Sequence, residues 1–297
     1  MNDRRLIIDR FAGGVMRTLT VLSGLIVFLM ILGLYLRSRP ILADQSLLTL
    51  LTLTEWRPMA GKFGLLPFIA GTLWVTGVAV VIAVPLSILS AAYLSEYAHR
   101  AIKTAAKPLI DVLAGIPSVV YGVWGMLVVV PLIKDRIAPA FGSFSTGYSI
   151  LAGGVVLAVM IIPVMVHVIL EVFGTVPTEV RDASLAVGAT RWQTVRNVVM
   201  RRAMPGVFAA IVLGLSRAFG ETMAVLMVVG NVPIVPKSVL DPAYPLPALV
   251  ANNYGEMMSV PLYDSALLLA CLVLLLVVLF FNVISRSVLV RIERRTA

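Results

Sequence analysis

Runs of residues without charge divide this chain into long apolar blocks. Thr18–Leu36 lies between Arg17 and Arg37, and a second run reaches from Phe63 to Ser95, with its helix placed at Phe68–Leu94. Val112–Ile133 follows, then Ile137–Leu170 with its helix at Ser149–Leu170, and finally Ser265–Ser285. A sixth stretch, Pro205–Gly230, is apolar except for Arg217 and Glu221. Crossing a hydrocarbon core of about 30 Å takes about 20 residues of helix. The pattern therefore predicts an all-α, multi-pass membrane protein with six transmembrane helices. Pro205 suits a first helical position. Pro85 and Pro117 fall inside spans two and three, where each removes a helix hydrogen bond and can bend the helix.

Composition agrees with this reading. Of 297 residues, 60% are hydrophobic and 13% charged, and the mean hydropathy is +0.99. A soluble domain is about 45–50% apolar and about 25% charged. These values exclude a soluble globular enzyme, and an apolar excess is the reverse of a disordered composition. The net charge of +9 is a topological signal. Sixteen of the 24 Lys and Arg fall on the N-terminus, the second and fourth loops and the C-terminus; seven fall on the other three loops, and Arg217 remains. The richer side is expected to be cytoplasmic, with both termini inside. The basic excess thus calls for no nucleic acid. A lone cysteine, Cys271, permits no intrachain disulfide.

The first apolar run ends in Leu36-Arg37-Ser38-Arg39-Pro40 without a small-x-small cleavage site, so it reads as a retained span. Met1–Arg17, where Arg4, Arg5 and Arg10 accompany Leu6, Ile7, Ile8 and Phe11, reads either as an amphipathic surface helix or as a basic flank. The chain divides into 1–66 (flank, first span and external loop), a permease-like core 67–289 with a cytoplasmic loop at 172–204, and a tail 290–297. The external loop Asn231–Asp264 carries six prolines, and Leu246–Tyr254 is expected to form a short helical turn resting at the interface.

Enzymatic signatures are missing. There is no Gly-x-x-x-x-Gly-Lys-Ser/Thr loop for nucleotide phosphates. His99 and His167 are too far apart for a metal site, so no metal or bound cofactor is expected. Glu171 stands at i+4 from His167, near the end of the fourth span, where polar residues collect in any case.

The loop after the fourth span carries a stronger signal. Thr178 and Glu179 mark a helix start, with Asp182 extending the acidic first turn. Val180, Ala183, Leu185, Val187 and Ala189 give an apolar face, and Gly188 ends the helix by tolerating a left-handed cap. Thr190, then Arg191-Trp192-Gln193, opens a second short helix leading to Arg196, Arg201 and Arg202. Two short helices hinged at Gly188 would lie along the membrane, either as a plain connector or as a grip for a soluble partner.

Asp182-Ala183-Ser184 followed by Gly188 resembles the EAA loop of ATP-binding-cassette importer permeases, Glu-Ala-Ala-x-x-x-Gly with Ile-x-Leu-Pro after nine more residues. Here Asp182 and Ser184 replace Glu and Ala, Val198 and Met200 replace Ile and Leu, and Arg201 stands in the proline's place. Trp56-Arg57-Pro58, Phe63-Gly64 and Gly71-Thr72-Leu73 resemble the entry to the second span of phosphate-specific transport (Pst) permeases. Gly115-Ile116-Pro117-Ser118-Val119-Val120-Tyr121-Gly122 is similar to their third helix. Arg217-Ala218-Phe219-Gly220-Glu221-Thr222-Met223-Ala224 with Gly230-Asn231 resembles the PstC-type rather than the PstA-type subunit. The resemblance implies a type I importer permease in a bacterial inner membrane. It also implies a PstA-like second permease, two PstB-like ATPases that bind ATP and Mg in its stead, and an external PstS-like phosphate-binding protein. Asp182, Ala183, Ser184, Gly188, Thr190, Arg191 and Trp192 would contact the ATPase.

Arg217 is the thirteenth of the 26 residues from Pro205 to Gly230, close to mid-bilayer. An arginine there costs at least about 2.5–3.5 kcal/mol and nearly always faces a bundle interior or a wet cavity. Glu221, at i+4, would neutralise it. The pair reads either as a packing salt bridge or as an oxyanion site in which the guanidinium fork takes phosphate bidentately. The family resemblance favours the path, with Ser118 and Tyr121 as weaker lining residues. Gly206, Ala210, Gly214 and Ala218 form a small-x-x-x-small ridge for close approach of another helix, in a partner or in this chain. A membrane enzyme would want clustered acids or histidines, and a docking protein would have no use for Arg217. Within transport, molybdate or sulfate, or the PstA-type role, are the competing readings.

Overall fold

The computed structural model describes residues 3–256 and 259–296, with side chains described for 11–256, 259–288, 290 and 291. Six helices are long and apolar enough to span a membrane. They are α1 (Asp3–Asp44), α3 (Leu66–Tyr97), α5 (Ser118–Ala140), α6 (Ile150–Gly174), α8 (Arg191–Gly220) and α11 (Tyr263–Thr296). Between them lie α2 (Leu47–Thr52), the hairpin strands β1 (Trp56–Arg57) and β2 (Lys62–Phe63), α4 (Arg100–Gly115) and α7 (Thr178–Ala186). The short helices α9 (Met223–Leu226) and α10 (Leu246–Asn253) precede the last span. The amphipathic reading of Met1–Arg17 falls largely on side chains outside the described residues.

The central helix is α6. It packs on α3, α8, α4, α5 and α9, and buries Ile150, Leu157, Ile161 and Ile169 completely. Ser149 caps it, its Oγ accepting from the Ala152 amide at 3.3 Å. A second core joins the end of α1, α2, the hairpin, α10 and the start of α11. There Trp56 meets Phe63 and Phe68 edge-on, at ring distances of 5.6 and 5.1 Å. The entry motif is thus a packing device: the tryptophan locks the hairpin onto the first turn of α3.

Helix α1 touches the bundle mainly along α11. Ile31, Leu34, Ser38 and Ile41, spaced three and four apart, form its buried or half-buried stripe, whereas residues 13–30 are exposed. Such an all-round apolar surface is what a lipid-facing helix presents.

Three expectations are corrected. The third span starts at Ser118, so Val112–Gly115 belong to α4 and Pro117 precedes the helix instead of bending it. A residue before proline is pushed out of the helical region, and Ile116 accordingly has ψ 130°. Helix α10 does not rest at an interface: Leu246, Pro247, Ala248 and Leu249 are buried, and the Leu246 amide donates to buried Thr72 Oγ1 at 2.8 Å. The fifth span ends at Gly220, ten residues short of Gly230.

Candidate functional site

The end of α8 positions the mid-membrane residues. Its small-residue ridge packs within this chain. A Cβ on Gly206 would lie 2.4 Å from Val172 Cγ1, and one on Gly214 would lie 2.7 Å from Met165 Cγ. Ala210 and Ala218 are buried on the same stripe. The two contacts put α8 antiparallel to α6, and continuing that register by three residues places Arg217 level with the middle of α6.

Arg217 lies in the last turn of α8, and its relation to Glu221 differs from the expected one. Glu221 leaves the helix in an extended conformation (φ −72°, ψ 126°), so the two residues share no helical face. The ion pairs among the described residues are Glu55–Lys62 and Glu96–Arg181, and His167 lies within 3.3 Å of both Asp111 and Glu171. None of these contacts involves Arg217. The physical reason is the break itself. Once Gly220 ends the helix, the amides of the next turn need acceptors, and the Glu221 Oε1 takes the Ala224 amide at 3.0 Å. The neutralising carboxylate is therefore occupied as a cap, and Arg217 is exposed on the surface of the chain.

Irregular backbone at membrane depth is tolerated only where protein or a wet cavity surrounds it. Here Glu221 shares a small cavity with Thr72, Thr76, Phe219, Pro245 and Pro247, so the proline-rich loop folds back to cover the break. Asn231, with φ 52°, donates from Nδ2 to the Leu226 carbonyl at 2.8 Å and closes the turn after α9. Tyr121 is buried, its hydroxyl donating to the Leu113 carbonyl at 2.7 Å across the Pro117 break. Ser118 is half-buried at the start of α5.

The second candidate region is the hairpin of α7 and the start of α8, on the Lys- and Arg-rich side. Two short helical segments meet at Gly188, which has φ +87° as its capping role requires. Thr190 and Gln193 form a reciprocal capping box: Thr190 Oγ1 accepts from the Gln193 amide, and Gln193 Oε1 from the Thr190 amide. The second segment is the start of α8 itself, joined through a wide turn at Val195–Val199 that contains the position of Val198.

The expected single apolar face is split. Val180, Ser184 and Ala189 are half-buried and face the bundle, whereas Ala183, Leu185 and Val187 are exposed with Asp182, Arg191 and Trp192. Val187 and Trp192 are 85% and 53% exposed. Ser184 Oγ lies 2.9 Å from Thr194 Oγ1, bracing one arm on the other.

Two contacts distant in sequence, Arg181–Glu96 and His167–Asp111, escaped the sequence reading. Arg181 of α7 pairs with Glu96 of α3 at 3.0 Å. They are 85 residues apart, and no local spacing marks them. His167 touches Asp111 through Nδ1 at 3.0 Å as well as Glu171 through Nε2 at 3.3 Å. One ring thus bridges α4 and α6.

Residues 83–297 match the family described as binding-protein-dependent transport system inner membrane component. Over 256 residues the chain is 39% identical to the phosphate transport system permease protein PstC of Xylella fastidiosa (strain Temecula1), covering 82% of this chain and 78% of that one. It is 40% identical over 243 residues to the probable ABC transporter permease protein YqgH of Bacillus subtilis (strain 168), covering 80% and 77%. Among solved structures, a chain of a bacterial alginate ABC transporter superposes with a TM-score of 0.64 at 15% identity, covering 96% and 97%. A chain of the inward-facing MetNI methionine ABC transporter gives 0.54 at 18%, covering 77% and 94%. Those two likenesses speak for the fold, which is that of ABC importer permeases. With the family match running through α5, α6, the hairpin and α8, the chain belongs to the inner-membrane components of binding-protein-dependent transport systems.

Proposed function

We propose that the chain is one of two unlike permease subunits of an ATP-driven phosphate importer, on the PstC side. The observation that carries this reading is Arg217: a guanidinium level with the middle of α6, exposed on the chain's surface, with no carboxylate within ion-pair distance among the described residues. Such a charge is costly in a bilayer and is relieved where a second permease closes a wet path around it. A guanidinium fork takes two oxygens of a phosphate at once, which a lysine ammonium does less well. Glu221 serves the path by holding the helix break that presents Arg217. The guanidinium alone would accept molybdate or sulfate equally; the PstC relatives favour phosphate.

Coupling uses the hairpin. Leu185, Val187 and Trp192 form an exposed apolar tip flanked by Asp182 and Arg191, a surface suited to a cleft in an ATPase that itself binds ATP and Mg. A PstA-like permease, two PstB-like ATPases and a PstS-like binding protein complete the assembly in a bacterial inner membrane, the basic side facing the cytoplasm.

The test is uptake of radiolabelled phosphate by proteoliposomes containing the full complex, with sulfate and molybdate as competitors. Arg217→Gln should lower phosphate uptake about 10–100-fold, as loss of charge-assisted hydrogen bonds implies, while the complex still co-purifies with its ATPase. Unchanged uptake in an assembled complex would refute the role of Arg217, and equal uptake of sulfate would reassign the substrate.

A further inference from the structure

Arg181 points from α7 into the bundle, opposite to the tip offered to a partner. Its Nη2 donates to Glu96 Oε1 at 3.0 Å and to the Phe173 carbonyl at 2.7 Å; its Nη1 donates to the Val176 carbonyl at 2.6 Å. Glu96 lies in the wide turn that ends α3, where Ser95 Oγ also donates to it at 2.8 Å. Phe173 and Val176 are at and just beyond the end of α6. One side chain of the hairpin therefore grips the ends of two spans. Both partners are largely shielded, with 17% and 13% of their side chains exposed.

The two gripped helices behave as one body, because α3 and α6 form the most extensive helix pair in the molecule. An apolar contact at this place would let α7 slide over the helix ends. Three directed bonds from a planar fork fix angle as well as distance, and a lysine in the same place would hold only a point. The cation also sits where the carbonyls at the end of α6 concentrate negative potential.

We infer that Arg181 and Glu96 are the positioning pair that converts displacement of the hairpin into movement of the α3–α6 unit. The inference rests on the ATP-driven reading above. In it, the outward residues Asp182, Leu185, Val187 and Trp192 receive the push, and Arg181 delivers it through Glu96. The Ser184–Thr194 contact keeps the start of α8 moving with the same hairpin.

The experiment measures phosphate imported per ATP hydrolysed by the reconstituted complex, for wild type, Glu96→Gln, Arg181→Gln, Arg181→Lys and the double Gln variant. Each single Gln variant should assemble and hydrolyse ATP within about twofold of wild type, while the import ratio falls about 3–30-fold, the range of coupling carried by such contacts. The double variant should be no worse than the poorer single, because both remove one linkage. Arg181→Lys should fall between wild type and Arg181→Gln. A wild-type ratio in both Glu96→Gln and Arg181→Gln overturns the inference. Should Arg181→Gln not assemble, Arg181→Lys decides with Glu96→Gln, and normal ratios in both overturn it. Loss of assembly with an unchanged ratio in what does assemble would mark the pair as merely structural and also overturn it. Wild-type vesicles that import no phosphate on ATP would instead refute the importer reading itself.

Discussion

Replacing Gly206 by alanine tests whether α6 and α8 meet as tightly as the small-residue ridge implies. The added Cβ would stand 2.4, 2.6 and 3.1 Å from Cγ1, Cγ2 and Cβ of Val172. Carbon atoms in contact prefer about 3.5–4.0 Å, so the intruding methyl is about 1 Å too close. Valine in a helix has one strongly preferred rotamer and cannot swing both methyls aside, so the helices must separate locally. Overpacking of this kind costs about 1–3 kcal/mol. The exchange also gains about 1 kcal/mol of helix propensity, leaving a net loss of up to about 2 kcal/mol. At that upper end it is a factor of about 30 in the folding equilibrium. Val172→Ala removes the clashing methyls, so the double variant should be more stable than the sum of the two singles predicts, by about 1–2 kcal/mol. Unfolding of the purified complex in mild detergent, followed by tryptophan fluorescence, reads both quantities. A Gly206→Ala variant more stable than wild type, or a double variant equal to the sum, would refute the close-packing argument.

Other outcomes follow from the same geometry. Gly188→Arg should lower coupled transport sharply while the spans stay folded, because a side chain at φ +87° strains the hinge by about 1–3 kcal/mol; normal import per ATP would count against the hairpin. Thr72→Val should destabilise by about 1–3 kcal/mol, since it strands the buried Leu246 amide, whereas Thr72→Ser should stay near wild type in the same unfolding assay. Gly64→Ala should prevent recovery of correctly folded protein, because its Cβ would lie 2.2 Å from the Leu53 carbonyl oxygen, a backbone atom that cannot rotate away. Glu55 is held below its ordinary 4.5 by the hydrogen bond from Lys62, then by the charges of Lys62 and Arg57. A lowered folded pKa means that its support of the hairpin is present above the unfolded value and is lost as pH falls through the folded one. Protection of the hairpin amides from exchange, taken relative to the intrinsic rate at each pH, should therefore fall at acid pH in wild type and lose that pH dependence in Lys62→Met.

What the sequence showed was local. The hairpin at Gly188 was legible because an acidic first turn, a glycine cap and the following Arg-Trp-Gln all lie within some fifteen residues of one another. The six spans were legible because lipid forces long charge-free runs. Helix α4 escaped because Arg100, Lys103, Lys107 and Asp111 interrupt its apolar residues, so a search for uncharged runs passes over an amphipathic helix. The end of α8 was misplaced for the opposite reason: Ala224 to Gly230 are as apolar as a span, and only Gly220 and the capping demand met by Glu221 turn the chain aside. Arg181 and Glu96 were invisible because nothing in either neighbourhood refers to the other. The ridge was legible as a ridge, but its partner, Val172 and Met165 of the same chain, was not.

Arg217, in no ion pair among the described residues, has an electrical consequence in its proposed role. A cell interior is negative, and each negative charge carried inward climbs about 2.3 kcal/mol per 100 mV of membrane potential. A doubly charged phosphate thus faces a slope before any concentration gradient is counted. In the proposed path, a fixed cation part-way down that slope would deepen the middle of the profile and leave its two ends where they were. Arg217 would then speed the crossing of an anion and oppose that of a cation, but the uphill difference between the two sides would have to come from ATP, delivered at the far end of the same helix.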